Sequence, residues 1–328
     1  MIETIEIALA ADGRYFCGLF VTACSIAEHA NKDVELSYNI LDGGIAAADR
    51  LMLENKVKAL HPLCAFNYIL VNEADFSDCP TWNGSRMIYT RLMLPKLLPG
   101  KDWVIYCDVD FLWLRDIMEL WCERDDHYAF VGVLDPVAST AISEEKWCTE
   151  HGLACSVDEY CCAGLSFLNL KMFREQGLFD WSMRINALHP PYNDQTIFNV
   201  VAQGRKKLVP ETWQCFTQKL TQERLNEGVV IHYAGEIPWK FVRRIQVLSD
   251  TMLIWHRFNA RYRGVSLWRS LRMHFGLLQL LWHRGLHWFF RTPLLKQMLK
   301  LCFAVIGHPG VYDVFAMRTR KFHIRYAV

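Results

Sequence analysis

The chain has 328 residues, of which 52% are hydrophobic and 22% charged, so it can build one large α/β domain with an appendage or two modest domains and is no disordered tail. Lys and Arg (36) almost balance Asp and Glu (35), yet residues 1–240 hold 21 basic and 33 acidic side chains while residues 241–328 hold 15 and 2. The average therefore hides two different objects. Twelve cysteines lie scattered with no CxxC spacing, which argues against a small secreted disulfide scaffold and for a reducing cytoplasm. Met1 to Ala10 carries Glu3 and Glu6 where a secretory leader would have lysines ahead of an unbroken apolar core. The best apolar run, Met273 to His283, is bounded by Arg272 and Arg284 and is too short to cross a bilayer.

In chain order, short β-branched or apolar runs alternate with longer helical ones. A strand is predicted from Ile5 to Ala10, a helix from Phe16 to His29, a strand from Val34 to Leu41, a helix from Ile45 to Lys58 and a strand from Phe66 to Val71. A loop rich in Asp, Pro, Asn and Gly, from Asn72 to Gly84, leads to a helix from about Arg86 to Leu97 that Pro99 and Gly100 end. Strands follow from Trp103 to Cys107, Ala129 to Leu134, Gly164 to Leu170 and Val229 to Tyr233, with a helix beginning near Asp194. The alternation ends near Trp239 and predicts an α/β fold, a mostly parallel sheet wrapped by helices. Beyond it, Trp255, Trp268, Trp282, Trp288, Phe289 and Phe290 interleave with Arg257, Arg261, Arg263, Arg269, Arg272, Arg284 and Arg291. Helices broken near Gly264, Pro293 and His308-Pro309-Gly310 are expected there.

The sharpest local feature is Trp103-Val104-Ile105-Tyr106-Cys107-Asp108-Val109-Asp110, a strand delivering two carboxylates at its C-terminal end. That edge of an open α/β sheet is where ligands bind, and side chains two apart on a strand point the same way. One divalent ion can take both carboxylates, or one can bind metal and the other a hydroxyl; on spacing alone a solvated loop accounts for the pattern as well. Aspartyl-phosphate phosphatases carry such a pair after their first strand, whereas here about a hundred residues of β/α structure precede it. The run from Val229 to Lys240 offers His232 at a strand end, Gly235 in a turn and Lys240. Were His232 to reach the ion of Asp108 and Asp110, the mixed oxygen and imidazole set would favour Mn²⁺ over Mg²⁺. Gly235 would let backbone approach a pyrophosphate, and Lys240 would bring a charge to it. Cys161 and Cys162 lack the partners of a zinc site and are read as small buried residues.

Asp12 and Tyr15 after the first strand, Tyr89-Thr90-Arg91-Leu92, the Asp-Val-Asp, Cys162-Ala163-Gly164 with Phe167-Leu168-Asn169-Leu170, Tyr192-Asn193-Asp194-Gln195, and His232 through Trp239 occur in the order found in family 8 glycosyltransferases. The sequence resembles that family over residues 3–240, including glycogenins and bacterial lipopolysaccharide galactosyl- and glucosyltransferases. The resemblance implies a GT-A catalytic domain in residues 1–240 that transfers a hexose from a UDP-sugar with retention, using Mn²⁺. It implies that Asp108, Asp110 and His232 hold the metal and that Asp12 and Tyr15 take the uridine. Arg91 and Asp194 would position the donor sugar beside Gln195, with Val109, Cys162, Gly235 and Lys240 completing the donor-binding set. Gln195 is a poor nucleophile, which favours front-side attack over a glycosyl-enzyme.

Three departures from the family pattern stand out. Cys162 replaces a frequent Asn, the usual H-x-x-G-x-x-K-P-W becomes a segment in which Ile237 precedes Pro238 and Trp239 directly with Lys240 after them, and Gly13-Arg14 follows Asp12. A catalytically decayed scaffold is one rival reading. A nucleotide-sugar nucleotidyltransferase is another, though Ala10-Ala11-Asp12-Gly13-Arg14 offers little of the Gly-rich basic loop it would need. No recognised nucleic-acid motif accompanies the basic extension of residues 241–328. Its arginines and aromatic rings suit an anionic membrane surface, where a lipid-linked glycan acceptor would be met, and the expected location is cytoplasmic and peripheral to the membrane. The alternative is an ordinary helical subdomain covering the core.

Overall fold

A computed structural model describes residues 2–81, 84–240 and 249–276. Its strands are β1 (Thr4–Ala11), β2 (Glu35–Asp42), β3 (Cys64–Leu70), β4 (Trp103–Cys107), β5 (Phe111–Trp113), β6 (Phe130–Leu134), β7 (Cys161–Asn169), β8 (Lys206–Leu208), β9 (Cys215–Phe216) and β10 (Val230–His232). Its α-helices are α1 (Phe16–His29), α2 (Ala47–Leu60), α3 (Leu94–Leu97), α4 (Ile117–Trp121), α5 (Ala138–Glu150), α6 (Leu170–Glu175), α7 (Leu178–Asn186), α8 (Asn193–Val201), α9 (Gln222–Glu227), α10 (Asp250–Arg263) and α11 (Leu267–His274). The chain divides into two compact units. The first comprises Met1–Cys215 and Val229–His232, and the described part of the second is 216–228, 233–240 and 249–276.

In the first unit seven strands form one sheet in the order β3-β2-β1-β4-β7-β6-β8. β7 runs antiparallel to both neighbours, β4 and β6, and the remaining pairings are parallel. All of β4 and β7 is buried, which is why those runs read as continuous apolar stretches with no alternation. Helix α1 buries eleven of its residues, Phe16 and Leu19 through Ile26 among them.

The segment expected to be a helix from Arg86 to Leu97 is a 3₁₀ stretch, Met87–Met93, followed by the single α-turn of α3. Pro95 opens that turn and has no N–H with which to carry α-type bonding back into the stretch before it. The strand expected from Gly164 starts three residues earlier at Cys161, and both vicinal cysteines are buried in it. Every described cysteine is a free thiol.

In the second unit α10 and α11 pack with the segment that follows β10. Tyr233 Oη donates to the Thr251 carbonyl at 2.9 Å, Thr251 Oγ1 donates to Glu236 at 2.8 Å, and His256 Nε2 lies 2.9 Å from the Pro238 carbonyl. Trp239 and Trp255 pack tilted at 41° with 5.3 Å between ring centroids, and Trp255 is fully buried. Burial pushes the His256 imidazole down to about 3 and that of His274 to about 4, so both are neutral packing groups. Gly264 ends α10 with φ of 64°, at the break expected from the sequence. Trp268 and Met273 are exposed beside Arg269 and Arg272. Among the described residues no helix is long and apolar enough to cross a membrane. The breaks expected at Pro293 and His308-Pro309-Gly310, and the aromatic cluster from Trp282 to Phe290, lie outside the described residues.

Candidate active site around Asp108, Asp110 and His232

Strand β4 runs out of the sheet into Asp108, whose N–H still bonds to the Gly164 carbonyl at 2.8 Å. Val109 is buried, and its carbonyl and that of Phe111 both accept from Thr22 Oγ1 on α1, at 2.9 and 2.8 Å. The carboxylate-bearing turn is thus tied down from below. The chain then forms β5, which pairs antiparallel with β10 in a register that sets His232 opposite Phe111. A pairing across more than a hundred residues of chain therefore delivers the imidazole to the carboxylates. Asp108, Asp110 and His232 each offer a ligand atom, and the three atoms lie within 4.8 Å of one another.

The imidazole is held tightly. Phe111 stacks on it at 4.1 Å with 15° between planes, and Gln214 Nε2 lies 3.1 Å from Nδ1. On the β7 side a Cβ at Gly164 would stand 2.7 Å from His232 Cε1, so only glycine leaves room for the ring. Nε2 is 3.6 Å from Asp110 Oδ1, a buried oxygen with no hydrogen-bond partner. An unpartnered buried carboxylate oxygen is costly, and a divalent cation is the group that would satisfy it together with the other two ligands. The residues present fit such an ion.

Arg91 forms the second centre. Only 3% exposed, it reaches Asp108 Oδ1 at 2.6 Å, Asp194 Oδ2 at 3.2 Å and the Ala163 carbonyl at 2.8 Å, and its guanidinium lies 4.3 Å from the centre of the Tyr106 ring. Burial alone would lower its pKa, but the Asp108 and Asp194 charges outweigh that and raise it, so it stays a cation. Burial pushes the Asp194 carboxyl up to about 6 despite Arg91. It also raises Asp108, against the pull of Arg91. Tyr106 Oη donates to Asp108 Oδ1 at 3.0 Å.

Helix α8 sets Gln195 against β7: Oε1 accepts from Ala163 N at 3.1 Å, and Nε2 donates to Asp135 Oδ2 at 2.8 Å. Asn199, one turn on, clamps both the N–H and the carbonyl of Cys161 at 2.7 Å. The Cys162 thiol is pushed well up, by burial first and then by Asp135. At the end of β1, Asp12 Oδ1 accepts from Arg14 N at 2.8 Å, while Oδ2 takes Arg14 Nε at 2.8 Å and Nη2 at 2.5 Å. Arg14, one of the departures from the family pattern, lies against Asp12, with its side chain 59% exposed. Burial raises the Tyr15 phenol.

The first unit thus gathers Asp108, Asp110, His232, Arg91 and Asp194 in direct contact or near it, with Gln195 joined through Ala163. Asp12, Tyr15, Val109 and Cys162 belong to the same unit, whereas Gly235 and Lys240 belong to the second. Gly235 there has φ of 72°, the left-handed turn that glycine suits. Sequence reasoning missed Asp135 and Gln214, because neither lies in a periodic element or a recognisable spacing.

This arrangement agrees with what the chain resembles. The profile described as glycosyl transferase family 8 matches residues 6–242, and the chain belongs to that family. A Haemophilus influenzae protein provisionally named a glycosyltransferase is 26% identical over 213 residues, 63% of this chain and 62% of its own length. The chain thus spans less than two thirds of that relative. General stress protein A of Bacillus subtilis is 21% identical over 262 residues, covering 72% of this chain and 88% of its own. Among solved structures, the galactosyltransferase LgtC in complex with donor and acceptor sugar analogues superposes with a TM-score of 0.63 at 25% identity, covering 80% of this chain and 96% of LgtC. The architecture is the GT-A fold expected from the sequence.

Proposed function

We propose that this protein is a retaining glycosyltransferase that moves a hexose, galactose or glucose, from a UDP-sugar to a hydroxyl of a lipopolysaccharide-like or other surface glycan. The observation that carries the reading is the convergence of two carboxylates and one imidazole within 4.8 Å at the ligand-binding edge of the sheet. A divalent cation held by Asp108, Asp110 and His232, Mn²⁺ ahead of Mg²⁺ because one ligand is nitrogen, would stabilise the charge that develops on the departing diphosphate.

The remaining steps belong to the chain. Asp12 and Tyr15 bind the uridine, Asp12 exchanging its contacts with Arg14 for contacts with the base. Arg91, fixed by four partners, keeps Asp194 and Asp108 in place beside the donor sugar. Gln195 lines the anomeric carbon; its amide is held at both ends and is a poor nucleophile, which supports front-side attack with the departing phosphate helping to deprotonate the acceptor. A glutamine is also an active-site residue of LgtC, where its change to glutamate has been crystallised. Gly235 and Lys240 of the second unit are proposed as pyrophosphate contacts from their place in the family pattern. Cys162, in place of a sugar-holding Asn, belongs to donor choice. The exposed Trp268 and Met273 among arginines support a protein peripheral to the inner face of the membrane, where a lipid-linked acceptor would be met.

Hydrolysis of UDP-glucose and UDP-galactose by the purified protein tests the reading. Activity should need Mn²⁺, vanish in EDTA and be abolished in Asp110→Ala. Equal turnover in EDTA, or in the Ala variant, refutes the metal role, and a glycosyl-enzyme trapped on Asp194 refutes front-side attack.

A further inference from the structure

We infer that Gln214 is the positioning residue of the metal site: its side-chain oxygen accepts a hydrogen bond from Nδ1–H of His232 and thereby fixes the tautomer that carries its lone pair on Nε2. The inference rests on the proposed cation at Asp108, Asp110 and His232.

Gln214 sits between a 3₁₀ turn, Glu211–Trp213, and the two-residue strand β9, and is 3% exposed. Its amide meets one nitrogen of His232, Nδ1, while the other, Nε2, is 3.6 Å from the orphaned Asp110 Oδ1. A neutral imidazole has one N–H and one lone pair. For Nε2 to hold a cation the proton must sit on Nδ1, and that N–H then needs an acceptor. With Nε2 of the amide 3.1 Å from Nδ1, the two would be donor against donor, and Gln214 Oε1 is left buried with no hydrogen-bond partner. Turning the amide about its last bond removes the clash of donors and gives the oxygen a partner. Oε1 then accepts from Nδ1–H, and the amide nitrogen takes the position that Oε1 leaves. Which amide atom is oxygen follows from the hydrogen-bond network, since the two placements have the same shape. Gln214 also acts on the Cys162 thiol, against the rise that burial imposes on it, and Cys162 is a residue at which this chain departs from the family pattern. Gln214 therefore ties the departure to the proposed metal ligand.

The alternative role for Gln214 is to fill space beside the His232 ring. The two roles separate in a pair of variants. Gln214→Leu keeps the bulk and loses the acceptor; Gln214→Glu keeps both length and acceptor. Mn²⁺ is titrated into the full chain with excess UDP, free Mn²⁺ being read from its paramagnetic resonance signal, and folding is checked by circular dichroism. Wild type should bind. Gln214→Leu should bind about 10–100-fold more weakly, the usual cost of removing the group behind a ligating histidine, and Gln214→Glu within a few-fold of wild type. Wild-type affinity in folded Gln214→Leu overturns the inference and leaves the metal reading standing. An equal loss in both variants also overturns it, since an acceptor would then be irrelevant. If Gln214→Leu does not fold, Gln214→Glu decides alone, and a loss of binding there refutes the assignment. A wild-type protein that takes up no Mn²⁺ refutes the metal reading, and the inference falls with it.

Discussion

Gly164→Ala tests the site by space alone. Gly164 lies in β7 outside the left-handed region, so alanine meets no backbone strain there. The added Cβ would stand 2.7 Å from His232 Cε1, 3.1 Å from Nε2 and 3.2 Å from Phe111 Cε2. Non-bonded carbons settle at about 3.5–4.0 Å, so the ring must retreat by roughly 0.8–1.3 Å. It has little freedom to do so, with Phe111 stacked at 4.1 Å and Gln214 against Nδ1. Overpacking of this kind costs about 1–3 kcal/mol, and a unit of this size loses about 2–4 °C in Tm per kcal/mol. The fold should survive. Metal ligands tolerate displacements of only about 0.2 Å, so the loss of Mn²⁺ binding should exceed the loss of stability. Thermal unfolding with UDP, with and without Mn²⁺, separates the two effects. Ligand at about 100 times its Kd adds about 2.7 kcal/mol to the wild type, and that increment should shrink or vanish in the variant. A variant with the wild-type melting point and the full Mn²⁺ increment would show that the ring is not confined as described.

Two further outcomes are expected. Burial holds the Asp194 carboxyl at about 6 against an ordinary 3.8, so the native state binds its proton more tightly than the unfolded chain, and stability is lost as pH rises through 6. Asp194→Asn, always uncharged, should therefore gain on the wild type by about 1 kcal/mol at pH 4.5 and about 3 kcal/mol at pH 7.5 in denaturant titrations, while glycosyl transfer falls; a gap independent of pH refutes this account. Truncation after residue 276, which leaves α10 and α11 on the segment from Tyr233 to Trp239, should keep UDP-sugar hydrolysis and weaken flotation with anionic vesicles to what Trp268 and Met273 alone provide; unchanged flotation refutes anchoring by residues 277–328.

The position of that truncation shows what the sequence could and could not convey. Composition changes at residue 240, but contacts do not: Glu236 and Pro238 bond to α10, so the helices rich in arginine begin as packing for the motif segment itself. Trp255 and Trp268 look alike in sequence, yet one is fully buried against Trp239 and the other 49% exposed, a difference set by a packing partner that no periodicity names. In the first unit β1, α1, β2, α2, β3 and β4 were legible because long apolar runs carry their own period. The 3₁₀ stretch at Arg91 was not, since its geometry depends on Pro95 and on the buried carboxylates that Arg91 must reach.

The candidate site divides along the same line. Asp108 and Asp110 follow a strong strand and could be placed from local pattern. His232 joins them only through the pairing of β5 with β10; the strand around Val230–His232 was expected, but the three-residue β5 and the register between the two carry no local signal. Gln214 is more hidden still: a polar residue between Trp213 and Cys215 gains meaning only once the partner of His232 is asked for, since a ligating imidazole demands a tautomer and the tautomer demands an acceptor. The residues with chemistry of their own were readable one at a time. Those whose chemistry consists in holding another group required the non-local register, and a variant at Gly164 or Gln214 probes that register more directly than removal of a ligand does.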